Sequence, residues 1–264
     1  MIIDSHEHVM LPTEKQLKGM DAAGVKRTVL FTTTPHPEKA RNLAEFEQEF
    51  QILNTILSGH FTKEERCHSV KRTIAELCGV LKAHPDRFYG FGMVPFSLTE
   101  EETSAWIEEN IVGGGLKGIG EISPANGTVK LLPSIFKAAS QYDRLPLWLH
   151  TFHPVTREDI MEIAVLCGQF PNVPVIFGHM GGVNWLDAIH LAKEHPNIHL
   201  DLSATYTAVA PRFAIEELPE RTLFSSDAPY GDPLLYRKMV ERVSPSTEVA
   251  ERVLGGNIAE LLKL

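Results

Sequence analysis

Short apolar or β-branched runs alternate with longer amphipathic stretches from one end of the chain to the other, the pattern of repeated βα units. Eight runs read as strands: residues 2–6, 27–33, 88–95, 116–122, 146–150, 173–179, 198–203 and 222–227. Several are apolar enough to be buried on both faces, as strands of a parallel sheet are. Helical patterns fall between them at 99–112, where Thr99 and Glu102 have the spacing of a capping box, and at 132–142, 157–167, 185–194 and 233–243. No Pro/Gly/Ser-rich linker, internal repeat or low-complexity tract divides the chain. The expectation is one α/β domain over residues 1–264, folded as a (β/α)8 TIM barrel.

The spacing breaks once, after the second strand. Residues 35–85 or so replace an ordinary crossover and hold two helical patterns, 38–57 and 63–82. Such an insertion starts on the catalytic face of a barrel, where it serves as a lid or a subunit contact, or is simply a decorated crossover.

Composition narrows the function classes. With 264 residues, 43% of them hydrophobic and 22% charged, the chain is an ordinary globular one. A net charge of −9 and the lack of a basic stripe argue against nucleic acid as a partner. No apolar run approaches the roughly 18 to 20 residues that cross a bilayer, so no membrane partner is expected. The opening MIIDSHEHV has neither the basic nor the apolar region of an export signal, and a cytoplasmic location is expected. Cys67, Cys78 and Cys167 are odd in number and widely spaced, which reads as reduced thiols.

The first strand ends in Asp4-Ser5-His6-Glu7-His8, and alternation along a strand sends His6 and His8 to the same side. Two imidazoles converging on one point suit a divalent metal of borderline softness. The pair alone is weak, but other strand ends carry Glu121, His150, His179 and Asp227. All C-terminal strand tips of a barrel gather at one mouth, so these six ligand-type residues are expected together.

The segments DSHEH, GIGEIS, LPLWLH, VIFGHMGG, LFSSDAPYG and LGGNIAELLKL resemble, over nearly the whole chain, the metal-dependent amidohydrolase superfamily. The similarity is to its amidohydrolase-related branch, which also contains decarboxylases of the aminocarboxymuconate-semialdehyde type. The resemblance implies that His6, His8 and Asp227 hold a first metal, with His150 and His179 on a second metal or around the substrate. Glu121 resembles the bridging glutamate of TatD-like and phosphotriesterase-homologous relatives. In the decarboxylase branch the site is mononuclear: the ligands map to His6, His8, His150 and Asp227, His179 activates water, and Glu121 stands behind them. Two carboxylates reduce the repulsion between two dications, so Glu121 favours the binuclear form modestly.

A divalent metal is therefore expected, one or two ions per chain. Zinc is the first choice, while manganese, iron, cobalt and nickel remain open. The leading function is hydrolysis of a small amide, lactone or ester by a metal-activated water, with Asp227 moving the proton and His179 on the second metal or the developing oxyanion. Rivals are non-oxidative decarboxylation of a small unsaturated or aromatic acid, and a non-catalytic metal- or ligand-binding barrel. Decarboxylation is disfavoured by the scarcity of cations after the strand ends, where only Lys130 and Arg157 stand at some distance, unless the insertion or a neighbouring subunit supplies one. His36, His153, Tyr206 and Tyr230 are candidate contacts to a small-molecule substrate. Lys117 shares the strand parity of Glu121 and is read as structural, one layer deeper in the barrel. Trp148 and Trp185 are read as helix-packing core, and His60, His68, His84, His190, His195 and His199 as ordinary residues away from the mouth. Pairing into a homodimer through the insertion surface is left open.

Overall fold

The computed structural model describes residues 1–58, 62–96 and 98–264. Eight parallel strands run in sequence order around one sheet: β1 Ile3–His8, β2 Arg27–Phe31, β3 Phe88–Gly92, β4 Gly118–Ile122, β5 Leu147–His150, β6 Val175–Gly178, β7 Ile198–Asp201 and β8 Thr222–Leu223. The last meets the first through Ser5 N donating to Phe224 O at 2.9 Å, Asp227 N to His6 O at 2.7 Å and His8 N to Ala228 O at 2.8 Å. This makes the TIM barrel. Apart from β1, which extends to His8, its strands are shorter than the apolar runs because several of those runs continue past the ladder into the loops at the mouth, as from Phe224 to Asp227.

The helices are α1 Thr13–Ala23, α2 Leu43–Leu57, α3 Lys63–Ala83, α4 Glu100–Trp106, α5 Pro133–Ala139 and α6 Arg157–Gln169. They continue with α7 Trp185–Glu194, α8 Val209–Glu217, α9 Pro233–Val243, α10 Thr247–Glu251 and α11 Asn257–Leu261. Reciprocal caps set several starts: Thr62 with Glu65, Thr99 with Glu102, and Thr156 with Asp159. The helical pattern at 38–57 divides, because Asn42 accepts from Glu45 N and starts α2 afresh after a short 3-10 turn at Pro37–Lys39. Helices α2 and α3 are the insertion. No helix among the described residues is long and apolar enough to cross a membrane.

Two apolar layers hold the barrel. The larger lies between strands and helices, and a smaller one fills the barrel itself with Ile3, Val29, Phe31, Phe91, Trp148, Ile176 and Leu223, joined by Ile258, Leu261 and Leu262 around α11. Trp148 thus packs inside the barrel, not against a helix. A Cβ on Gly120 would lie 2.7 Å from the Trp148 Cβ, so the glycine is what lets so large a side chain sit beneath the mouth. Trp185 packs on the outer layer. Lys117 precedes β4 and is exposed, so it is not in a deeper barrel layer: the strand begins two residues later than the apolar run suggests.

Candidate metal centre and its cavity

The structure brings together all six ligand-type residues named from the strand ends. His8 Nε2 lies 3.3 Å from Asp227 Oδ1 and 3.6 Å from Glu121 Oε2; His6 Nε2 lies 3.7 Å and 3.6 Å from the same two oxygens. On its other oxygen, Glu121 Oε1 meets His150 Nδ1 at 2.9 Å and His179 Nε2 at 3.1 Å. The glutamate therefore joins two imidazole pairs, one from β1 and one from β5 and β6.

Local backbone features aim these groups. The β1–β2 register shifts between Asp4 and Glu7, and the β4–β5 register shifts between Ile119 and Ile122, so both irregularities fall beside site residues. A bulge of this kind re-aims a side chain from its regular strand direction. His179 and Asp227 hold φ values of 61° and 59°, a left-handed conformation that ordinary residues rarely adopt and that concentrates at functional sites. Asp4 fixes the β1–β8 seam, its Oδ1 accepting from His6 N at 3.1 Å and Ser226 N at 3.0 Å.

Asp201, at the end of β7, escaped the sequence reading. Its Oδ2 accepts from His6 Nδ1 at 2.8 Å and from the Trp148 indole N–H at 3.2 Å, and its Oδ1 accepts from the Ser225 hydroxyl at 2.7 Å. A carboxylate only accepts, so His6 carries its proton on Nδ1 and turns Nε2 toward Asp227 and Glu121. The signal available in the sequence was its position, since it is the aspartate that closes a barrel strand. Ser203 likewise orients His179, with its hydroxyl 2.8 Å from Nδ1.

Charge is balanced within the cluster. Burial would lower the His6 pKa, yet the Glu121 charge and hydrogen bonds to Asp201 and Glu121 outweigh it and hold it well above the ordinary value. His150 is raised in the same way: burial opposes, and Glu121 prevails. Glu121 is the converse case, where burial is overcome by His150 and His6, and its pKa falls well below the usual carboxylate range. Burial pushes Asp4 up to about 7.

The donor set fits a metal. His6 Nε2 and Asp227 Oδ1 are buried with no hydrogen-bond partner among the described residues, which is costly for polar atoms unless something else satisfies them. Ligands about 2.1 Å from a common ion stand about 3.4 Å apart in tetrahedral geometry, close to the 3.3 to 3.7 Å between these imidazoles and carboxylates. His6, His8 and Asp227 form one group able to hold an ion, and Glu121, His150 and His179 another.

Above the cluster lies a cavity of about 390 Å³ whose lining includes His8, Glu121, His150, His179 and Asp227. The insertion forms its far wall with Phe50, Leu53, Ile56 and Leu57 from α2 and Arg66 and Val70 from α3. Arg66 is the cation that inspection of the strand ends did not find. Lys130 is exposed, and Arg157 is engaged with Asp187 at 2.8 Å on the surface.

The candidate substrate contacts separate. Tyr230 and His153 line the cavity, Tyr230 with its ring edge-on to His8 at 6.1 Å and His153 with its carbonyl accepting from His150 Nε2 at 3.0 Å. Burial and the charges of Asp227 and Glu121 raise the Tyr230 pKa, which keeps the phenol a donor. His36 and Tyr206 are not among the residues that line it. His36 is a strut, its Nδ1 on Glu38 Oε1 at 2.9 Å and its N–H on Glu49 of α2 at 2.7 Å, and Tyr206 is 64% exposed. Of the histidines set aside, His68 and His190 are exposed and His60 lies outside the described residues.

Comparison with known proteins places this geometry. Solved structures that resemble the chain include 5-carboxyvanillate decarboxylase from Sphingomonas paucimobilis, with a TM-score of 0.75 and 17% identity over 100% of this chain and 99% of that one. A 2,6-dihydroxybenzoate decarboxylase solved with 2,6-dihydroxybenzoate gives 0.69 and 17% over 100% and 99%. A dihydroxybenzoic acid decarboxylase from a Polaromonas species, solved with manganese and 2-nitroresorcinol, gives 0.67 and 17% over 100% and 97%. At these identities the likeness is one of fold. No curated protein matches the chain. The family model described as Amidohydrolase matches residues 3–264, from the first residue of β1 to the last of the chain. On that match, which takes in every strand tip of the cluster, the chain belongs to the amidohydrolase family.

Proposed function

We propose that the protein is a metal-dependent decarboxylase of a small aromatic or unsaturated acid. The observation that carries this reading is the apolar, helix-covered cavity directly over the imidazole–carboxylate cluster. Loss of CO2 consumes no water and gains from an environment that strips water from the reacting carboxylate, whereas hydrolysis needs water delivered there. Full-length resemblance to decarboxylases of aromatic acids supports the choice.

His6, His8 and Asp227 would hold the cation, with Glu121 or His150 completing its surroundings. A divalent metal bound there would orient the substrate and stabilise negative charge developing on its oxygens. Manganese, present in two of the similar structures, stands beside zinc as a candidate. The chain's own residues supply the rest. Asp227 lines the cavity and would relay a proton taken up from solvent to the carbon, where it meets the electron pair left as the bond to CO2 breaks. His179, held by Ser203, donates to substrate oxygen, and Phe50, Leu53 and Phe152 exclude water.

A second reading rests on Glu121, whose two oxygens face separate imidazole pairs. That arrangement suits two ions and a hydrolase of lactones, amides or esters, with Asp227 accepting the proton of the attacking water. The deciding experiment incubates protein reloaded with manganese or zinc with a panel of aromatic acids, lactones and amides. Release of CO2 is the expected result; acid release from lactone or amide establishes the second reading, and an inert, metal-binding protein refutes both.

A further inference from the structure

Helix α2 is apolar but unpacked. Eight of its fifteen residues are Ala, Ile, Leu or Phe, yet none of the fifteen is buried. Its neighbours differ: α3 buries Val70, Ile74, Leu77 and Val80, and α1 buries Met20 and Ala23. A helix is ordinarily held on a domain by burying one apolar face, because a segment of this length is marginal in water by itself. Polar contacts place α2, through the Asn42 cap and through Glu49 Oε2 accepting from His36 N at 2.7 Å.

The apolar stripe of α2 faces the cavity. Phe50, Leu53 and Leu57 repeat at i, i+3 and i+7, and with Ile56 they line it, while Val70 and Met93 add to the same apolar lining. Phe46, one turn before Phe50, stacks on that ring with centroids 6.0 Å apart, and the two remain 37% and 46% exposed. Size points the same way as composition. The cavity holds about 390 Å³, whereas an apolar cavity of about 150 Å³ accepts a benzene ring. A monocyclic acid with its carboxylate at the imidazoles therefore leaves more than half of the space, and the far wall of that space is α2. An apolar group placed there takes its own surface and that of the helix out of water together.

We propose that the substrate acid carries an apolar extension beyond its first ring or unsaturated unit, and that Phe50, Leu53, Ile56 and Leu57 of α2 are the specificity-determining residues that cover it. The ligand supplies the packed surface that α2 lacks. This rests on the reading of the His6–His8–Asp227 cluster as the metal-bearing end that receives the carboxylate.

The test is calorimetric binding of benzoate, 4-butylbenzoate and its polar counterpart 4-(2-hydroxyethoxy)benzoate to the manganese-loaded protein, with amide hydrogen exchange of α2 as a second readout. Each methylene taken fully out of water tightens binding about fourfold. With half of its chain covered, 4-butylbenzoate should therefore bind at least about tenfold more tightly than benzoate. The polar counterpart should gain little, and exchange in α2 should slow with 4-butylbenzoate more than with benzoate. Leu57→Ser should cut the butyl preference at least about threefold, and Leu57→Met should retain it. Equal affinities for benzoate and 4-butylbenzoate, an equal gain from the polar chain, or failure of all three acids to bind overturns the proposal. A preference that survives Leu57→Ser, or an equal loss for every acid in that variant, overturns the role of α2. Protection of α2 that follows protein concentration and not ligand shows that a second copy covers the helix, and overturns it too. Benzoate affinity unchanged by manganese removal instead overturns the reading of the cluster on which the proposal stands.

Discussion

Asp201 Oδ2 and His6 Nδ1 are 2.8 Å apart, and both side chains are fully buried. Burial alone would raise the Asp201 pKa, yet the hydrogen bond and charge of His6 hold it below the usual range. The pair links β7 to β1 across the barrel and decides which nitrogen of His6 faces Asp227. Asp201→Asn removes the charge and permits the wrong tautomer. It should weaken metal binding by about 10- to 100-fold, read by chelator competition with manganese or zinc.

Asp227→Asn keeps the shape of the side chain and removes its basicity. Turnover of whichever substrate the panel reveals should fall by at least about a hundredfold, while the far-ultraviolet circular dichroism stays that of the wild type. A folded Asn variant with undiminished turnover would refute the assignment of Asp227.

Ion stoichiometry separates the two chemical readings. Mass spectrometry of the native protein should give one ion per chain, and Glu121→Gln should lower the affinity for that ion without changing the count. Two ions per chain, falling to one in Glu121→Gln, would show that the glutamate bridges and would favour hydrolysis.

Gly182 follows His179 in a loop with φ +55°, and a Cβ there would meet the Phe152 ring at 2.1 Å. Gly182→Ala should lower stability by about 1–3 kcal/mol and push Phe152, a wall of the cavity, out of place. Thermal unfolding and benzoate affinity should therefore both change.

His199, on β7, is held down to about 4 by burial and by the charges of Arg221 and Arg144, against an ordinary value of 6.5. Its folded-state pKa lies below the unfolded one, so its contribution is intact above pH 6.5 and is lost as pH falls through about 4. The loss amounts to at most about 3 kcal/mol. Denaturant titrations at pH 7 and pH 4.5 should show a smaller difference for His199→Gln than for the wild type.

Much of this protein is written locally. The period-two runs and the caps at Thr62, Thr99 and Thr156 depend on neighbours a few residues away, so the alternation of strands and helices was legible in the chain. His179 and Asp227 were legible as strand-end residues, the resemblance carried by GHMGG and SSDAPYG gave them roles, and the parallel order of a barrel was enough to gather them with His6, His8, Glu121 and His150. Tertiary structure decided what depends on distance between remote segments. Asp201 acts through His6 and Trp148, 195 and 53 residues away, and no local pattern marks that pairing. The register shifts that aim β1 and β4 arise between strands, where a side chain's direction follows from pairing rather than from its own sequence. Arg66 and His36 show the same limit from both sides. One looked like an ordinary helix charge and lines the cavity, while the other looked like a rim ligand and braces a helix, because only the docking of α2 and α3 onto the barrel determines which side chains face inward.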